Sequence, residues 1–206
     1  MILFDLSSSE ANPVYQSMAI ANVDRQFSFL QSLVLAALGS NQHFISDTIL
    51  KALNFHAIAC LHTSAGMYRP CKVTVGAYEP PREFQVPGLM ENFINSVNRA
   101  WETADPVSLA AFILWRLNHI HPFINGNGRT ARAAAYFALC VKLGGWLPGT
   151  PILPARLKIN DPEYLAAIRA ADASIANGGL DLSELHKLIG RLLQEQLDGA
   201  EQQQQP

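Results

Sequence analysis

The stretch DPVSLAAFILWRLNHIHPFINGNGRTARAAAYFALCVKL, residues 105–143, decides the fold. Asp105 is a good helix cap, and Pro106 suits the first helical position, where no amide donor is needed. Leu109, Phe112, Ile113, Leu117 and Ile120 then recur at helical spacing and lie close to one face. So apolar a helix belongs at the centre of a bundle. Turn-forming residues interrupt it from Pro122 to Gly128. Helical spacing resumes from about Arg129 to Leu143, and Gly144-Gly145 stop it.

Outward from this pair, most of the chain carries the same three- and four-residue apolar spacing. It predicts helices over Val23–Leu38, Asp47–Leu61, Leu89–Trp101, Pro162–Ala176 and Leu182–Leu197, the second capped by Ser46 or Asp47. The segment Thr63–Pro87 breaks the pattern with Gly66, Pro70, Gly76, Pro80, Pro81 and Pro87. Within it Lys72, Val73, Thr74 and Val75 alternate polar and apolar, which suits a short strand or hairpin arm. The expected fold is therefore mainly all-α, a helical bundle with a short β-hairpin. We expect one domain over residues 1–200, with its core at about 45–195 and a helical segment at 1–44. The glutamine tail at 201–206 is expected to be disordered.

The bulk composition narrows the function classes. With 206 residues and 49% hydrophobic content the chain can bury a sizeable core. A net charge of −2 gives no electrostatic footprint for nucleic acid. Cys60, Cys71 and Cys140 lack the spacing of a zinc site or a disulfide framework. No basic leader precedes an apolar run at Met1–Asp5, and no run approaches the ~20 apolar residues of a membrane span. The expectation is a soluble cytoplasmic protein without membrane or nucleic-acid partners.

The loop carries the chemistry. Asn125-Gly126-Asn127-Gly128 permits positive φ and close backbone approach, and a helix begins at once. Backbone amides at a glycine turn and helix start make an anion site. Arg129 and Arg132, three apart, share one helix face and match phosphate oxygens with their forked donors. His121 ends the preceding helix, where a neutral imidazole can act as general base. These residues point to phosphate chemistry with a histidine base.

The segment His121–Arg132 resembles the motif of the Fic (filamentation induced by cAMP) family, HPFx(D/E)GN(G/K)RxxR. Gly66-Met67-Tyr68-Arg69 and the proline-rich Tyr78–Pro87 stretch resemble what precedes that family's active-site helix. The resemblance implies a helical bundle with a hairpin flap. It implies a protein adenylyltransferase that moves AMP from magnesium-ATP to a Ser, Thr or Tyr hydroxyl of a target protein. His121 would be the base. Gly126, Asn127 and Gly128 would hold the phosphates through backbone and amide groups, and Arg129 and Arg132 would neutralise their charge. Phe123 would anchor the loop. Lys72–Val75 would form the flap edge that aligns the target, and Tyr164 resembles the aromatic that lines the base pocket.

Asn125 departs from the motif, which usually has an acidic residue there to hold magnesium. An amide oxygen can ligate magnesium but brings no negative charge. This keeps other readings open: a degenerate Fic fold that serves as a nucleotide-binding or interaction module, or transfer of UMP or phosphate. Kinase-like relatives usually carry Lys at position 128, so Gly128 favours nucleotidyl transfer. Many family members are held inactive by a glutamate in an (S/T)xxxE(G/N) helix or by a small inhibitory partner. The nearest segment here is Leu6–Ala11, which makes Glu10 the candidate inhibitory residue, expected to pair with Arg132.

Overall fold

A computed structural model describes residues 9–203. Eight α-helices order the described chain: α1 Pro13–Gly39, α2 Asp47–Ile58, α3 Val86–Ala100, α4 Pro106–Ile120, α5 Asn127–Lys142, α6 Leu153–Ile159, α7 Asp161–Ala176 and α8 Ser183–Gln203. No helix among the described residues is long and apolar enough to cross a membrane.

The hairpin of α4 and α5 is the hub, and these two helices share the most extensive contact in the bundle. Asp105 caps α4 by accepting from the Ser108 amide at 2.9 Å. Leu109, Ala110, Ala111, Ile113, Leu114, Trp115, Leu117 and Ile120 are all buried, so α4 is apolar nearly all round, as a central helix must be. Its partner α5 buries Ala131, Ala133, Ala134, Ala135 and Ala138, small side chains that let neighbouring backbones come close. Helices α1, α2, α3, α7 and α8 pack around this pair.

Helix α1 starts ten residues before the expected Val23. Asn12 caps it by accepting from the Val14 amide at 2.9 Å, and Pro13 occupies the first turn. Its buried stripe is Tyr15, Asn22, Gln26, Leu30 and Val34, two of the five being polar amides, so apolar spacing alone misses the N-terminal part. The two amides are satisfied inside: Asn22 donates to the Ala59 carbonyl at 3.0 Å and Gln26 to the Leu53 carbonyl at 2.9 Å. Helix α2 stops at Ile58, before the expected Leu61, and the chain reverses at Cys60 with φ 64°. Pro87 sits in the first turn of α3 rather than ending the irregular stretch, because an early helical position needs no amide. The short α6 follows a Gly- and Pro-rich segment and was not expected. The last helix runs to Gln203, past the start of the expected disordered tail, and residues 204–206 lie outside the described residues.

The expected hairpin is reduced to its tip. Among the described residues no strand forms at Lys72–Val75. Val75 and Tyr78 exchange both backbone hydrogen bonds at 3.0 Å around a two-residue turn, Gly76-Ala77, with Gly76 at φ 59°. A cross-turn ion pair, Lys72 to Glu79 at 3.0 Å, holds the arms. This segment, residues 71–81, is called the flap below. A second bridge, Tyr68 to Phe123, seats its base against the loop between α4 and α5.

Candidate active site

The site is built on the α4–α5 junction. His121 caps α4 in the left-handed conformation, φ 51° and ψ 59°, which turns the chain sharply out of the helix. Phe123, fully buried, anchors the loop. Asn127 shapes it: its Oδ1 accepts from the Phe123 amide and its Nδ2 donates to the Phe123 carbonyl, both at 2.9 Å. The side-chain amide of Asn127 is thus taken up by the loop, and its backbone N–H is what it presents at the start of α5. Gly126 precedes it at φ 75°, and no side chain caps the helix. The first intrahelical bond runs from the Thr130 amide to the Gly126 carbonyl at 2.9 Å. That leaves the amides of Asn127, Gly128 and Arg129 without intrahelical acceptors, at the positive end of a 16-residue helix.

A cavity of about 910 Å³ opens over this helix end. His121, Asn125, Gly126, Asn127, Gly128, Arg129 and Arg132 form its polar floor. Val23, Phe27 and Leu30 of α1, with Ile152 at the cap of α6 and Pro154 and Ala155 in its first turn, form apolar walls. Thr74 and Val75 of the flap border it. Lys72 is instead held by Glu79 on the flap. A cavity with apolar walls and an anion-binding floor suits a nucleotide, with its base along the walls and its phosphates at the helix start.

Burial lowers the His121 pKa to about 4, although a hydrogen bond to the Asn118 backbone pulls the other way, and the nearby Arg69 charge adds to the lowering. The imidazole is therefore neutral at pH 7. With one ring nitrogen engaged by Asn118, the other is an acceptor for a proton. The folded pKa lies below the ordinary value of about 6.5, so neutral His121 favours the folded state above that pH. This contribution fades as pH falls through 6.5 towards 4. An imidazole NMR titration is expected to show His121 still neutral at pH 5.5; a midpoint at 6 or above would contradict this burial.

Arg132 reaches back along α5, so that a Cβ added at Gly128 would lie 3.3 Å from its Nη1. Arg129 is fixed from behind: Nη1 donates to the Ala57 carbonyl at 2.7 Å and Nη2 to the Asn125 Oδ1 at 3.2 Å. Tyr164 is 2% exposed and does not line the cavity. Its hydroxyl accepts from Asn118 at 2.8 Å and lies beside Arg132, so it buttresses the arginine instead of facing a base.

Asn125 and Glu10 meet. Asn125 Nδ2 donates to Glu10 Oε1 at 2.9 Å, and His62 Nε2 lies 3.4 Å from the same oxygen. The expected pairing of Glu10 with Arg132 is corrected: α1 begins just after Glu10 and delivers its carboxylate to the near end of the loop, at Asn125, instead of to the arginine one turn into α5. Within the expected inhibitory segment, Leu6, Ser7 and Ser8 lie outside the described residues.

The donor set at Asn125 does not fit a resident magnesium ion. The amide oxygen is neutral and already accepts from the Gly126 amide at 2.6 Å and from the Arg129 guanidinium. A cation there would face a cation. No group of three or more His, Cys, Asp or Glu side chains among the described residues could hold a metal.

Sequence reasoning missed Asn54. Fully buried on α2, it donates to the Asn125 carbonyl at 2.9 Å and to Thr130 Oγ1 at 3.2 Å, and accepts from the Gly66 amide at 3.0 Å. Nothing in its local sequence signals a partner 71 residues away. The apolar walls from α1 and α6 were equally invisible, since they meet the motif only through folding.

The chain is similar to known proteins in sequence and in fold. Residues 45–139 match the Fic/DOC family model. The chain is 37% identical over 89 residues to the protein adenylyltransferase Fic of Drosophila willistoni, covering 41% of this chain and 18% of that protein. It is 37% identical over 92 residues to the Drosophila melanogaster protein of the same name, covering 43% and 19%. The chain thus spans less than a fifth of the length of these curated relatives. In fold it is similar to Fic-1 (residues 134–508) from C. elegans, with a TM-score of 0.74 at 21% identity over 98% of this chain and 58% of that one. It is also similar to a Fic domain containing signaling protein from Bacteroides thetaiotaomicron, with a TM-score of 0.67 at 18% identity over 97% of this chain and 79% of that one. The matched segment includes α4, the loop after it and most of α5, and the chain carries a Fic/DOC family domain at residues 45–139.

Proposed function

We propose that this protein transfers AMP from ATP to a hydroxyl side chain of a target protein. The observation that carries the reading is a neutral, partly buried His121 on the floor of a nucleotide-sized cavity beside an open helix start and two arginines. The names of the matched Drosophila relatives support it.

In this reading the target hydroxyl oxygen attacks the α-phosphorus while its proton passes to His121. The bond from the α-phosphorus to the bridging oxygen breaks and pyrophosphate leaves. The amides of Asn127, Gly128 and Arg129 hold phosphate oxygens at the positive end of α5, and Arg132 meets charge that builds up as pyrophosphate departs. The flap edge at Thr74–Val75 lies where an extended target segment can be set beside the cavity. Magnesium enters as part of the ATP substrate, bound to its phosphates.

The test is self- and lysate-labelling with α-labelled ATP. Wild type is expected to label protein, and His121→Ala to lose about 10²–10⁴-fold in rate. Labelling that survives in His121→Ala would remove the histidine from the chemistry.

A second reading, a Fic fold that binds partners without catalysis, is favoured by one observation: Asn125 turns its oxygen to Arg129 and its amide to Glu10. Nucleotide binding without label would select it. Asn125→Asp tests what the missing carboxylate would add. The new carboxylate faces Glu10, repels it from the loop and adds negative charge beside the phosphate site. Magnesium-ATP affinity is expected to rise about tenfold, since ligand charge sets affinity for hard cations. Equal affinity and equal magnesium dependence in calorimetry would show that even a carboxylate at position 125 gains no metal.

A further inference from the structure

Arg69 is 2% exposed, yet the transfer chemistry above makes no use of its charge. Burial works against that charge, and the Glu83 carboxylate nearby supports it. Its guanidinium is aimed wholly at backbone. Nε donates to the His121 carbonyl at 2.8 Å, Nη1 to the Cys71 carbonyl at 3.0 Å, and Nη2 to the Pro81 carbonyl. Its own amide donates to the Pro122 carbonyl at 2.9 Å.

These acceptors have a pattern. Cys71 and Pro81 are the two ends of the flap, and His121 and Pro122 are the junction of α4 with the motif loop. One side chain therefore closes the flap into a loop and fastens it to the residue that carries the base. A planar fork with five donors can reach diverging carbonyls in this way; a lysine ammonium on a flexible stem cannot. His121 also needs the help. Its left-handed backbone costs about 1–2 kcal/mol for a residue with a Cβ, so something must hold its carbonyl in place.

A second tie lies at the flap tip. The Tyr78 hydroxyl donates to the His119 carbonyl at 2.7 Å. The His119 ring is itself fixed, with Nδ1 2.8 Å from Asp172 Oδ1, an oxygen that also accepts from Trp115 Nε1 at 2.9 Å. One tie ends on backbone of the last turn of α4 and the other on its cap.

We propose that Arg69 and Tyr78 are positioning residues that lock the flap to the end of α4, so that the surface receiving the target and the histidine acting on it move as one body. The functional meaning rests on the transfer reading, but the lock itself can be measured without transfer.

The experiment uses the full chain with Arg69→Lys and Tyr78→Phe. Three quantities are read: amide hydrogen exchange over residues 71–81, the NMR titration of the His121 imidazole, and transfer kinetics. In Tyr78→Phe, flap exchange is expected to rise about tenfold, as for the loss of one hydrogen bond of ~1.4 kcal/mol. ATP affinity should stay unchanged while KM for the target rises several-fold. Arg69→Lys keeps the charge near His121 but loses the fork. It should loosen the flap and move the His121 titration up from about 4 towards the ordinary histidine value. A merely structural arginine would lower thermal stability and leave both readouts in place. Flap exchange and His121 titration like wild type in folded variants would overturn the lock. If Arg69→Lys does not fold, the flap exchange of Tyr78→Phe decides alone. Should both readouts move while no form transfers AMP, the lock stands and the transfer reading falls.

Discussion

Gly126→Ala is expected to lower the unfolding free energy by about 2–4 kcal/mol and to weaken nucleotide binding at least about tenfold. Two costs combine. At φ 75° an alanine enters the left-handed region, where a Cβ is penalised. The new Cβ would also lie 2.7 Å from Ile58 Cγ2 and 3.2 Å from Asn54 Nδ2. Neither neighbour can retreat easily, because Ile58 and Asn54 are both fully buried on α2. Relief must come from the loop, which would lift Gly126 away from α2 and turn the first amides of α5 off their common direction. Denaturant unfolding should show a lower midpoint at unchanged slope, and calorimetry with ATP a weaker Kd. A midpoint within about 0.5 kcal/mol of wild type would mean that α2 and the loop are not packed as described.

Asn54→Ala should cost about 2–3 kcal/mol and loosen the same loop from the other side. The Gly66 amide would lose its acceptor, and the Asn125 carbonyl and Thr130 hydroxyl would lose a donor. Leaving buried polar groups unpaired is more damaging than the net worth of the bonds themselves. Thr130 retains its bond to the Gly126 carbonyl at 3.0 Å, so the first turn of α5 should survive while the Asn125 peptide drifts. The expected signature is a loss of ATP affinity together with faster amide exchange at Gly66. Unchanged ATP affinity in a folded Asn54→Ala protein would show that the loop holds its shape without this strut.

These two residues divide what can be read in a sequence from what cannot. Gly126 declares itself, because a glycine between two asparagines at the start of a helical run marks a tight turn and an anion site. Asn54 does not. It sits in a helix among apolar residues, and its three partners lie at Gly66, Asn125 and Thr130. The α4–α5 hairpin, with its Asp105 cap, was legible because local spacing and capping repeat what the fold uses. The N-terminal half of α1 was not. Its buried face uses Asn22 and Gln26, and their burial makes sense only beside the carbonyls of Ala59 and Leu53. The flap, expected as a strand or hairpin arm at Lys72–Val75, keeps only a turn, because its hold on the bundle comes from Arg69 and Tyr78 rather than from a ladder of backbone bonds.

By itself, then, the sequence determined the helical class, the hub pair of helices and the order of chemical groups from His121 to Arg132. All of these follow from interactions within a few residues, where periodicity, capping and turn preference operate. Only the tertiary structure decided that Glu10 meets Asn125 rather than Arg132, that Tyr164 stands behind Arg132 rather than in the cavity, and that α1 and α6 wall the site. It also decided the depressed pKa of His121. Each of these depends on burial and on groups far apart in the chain, and no local pattern encodes which distant side chains will exclude water from a given atom.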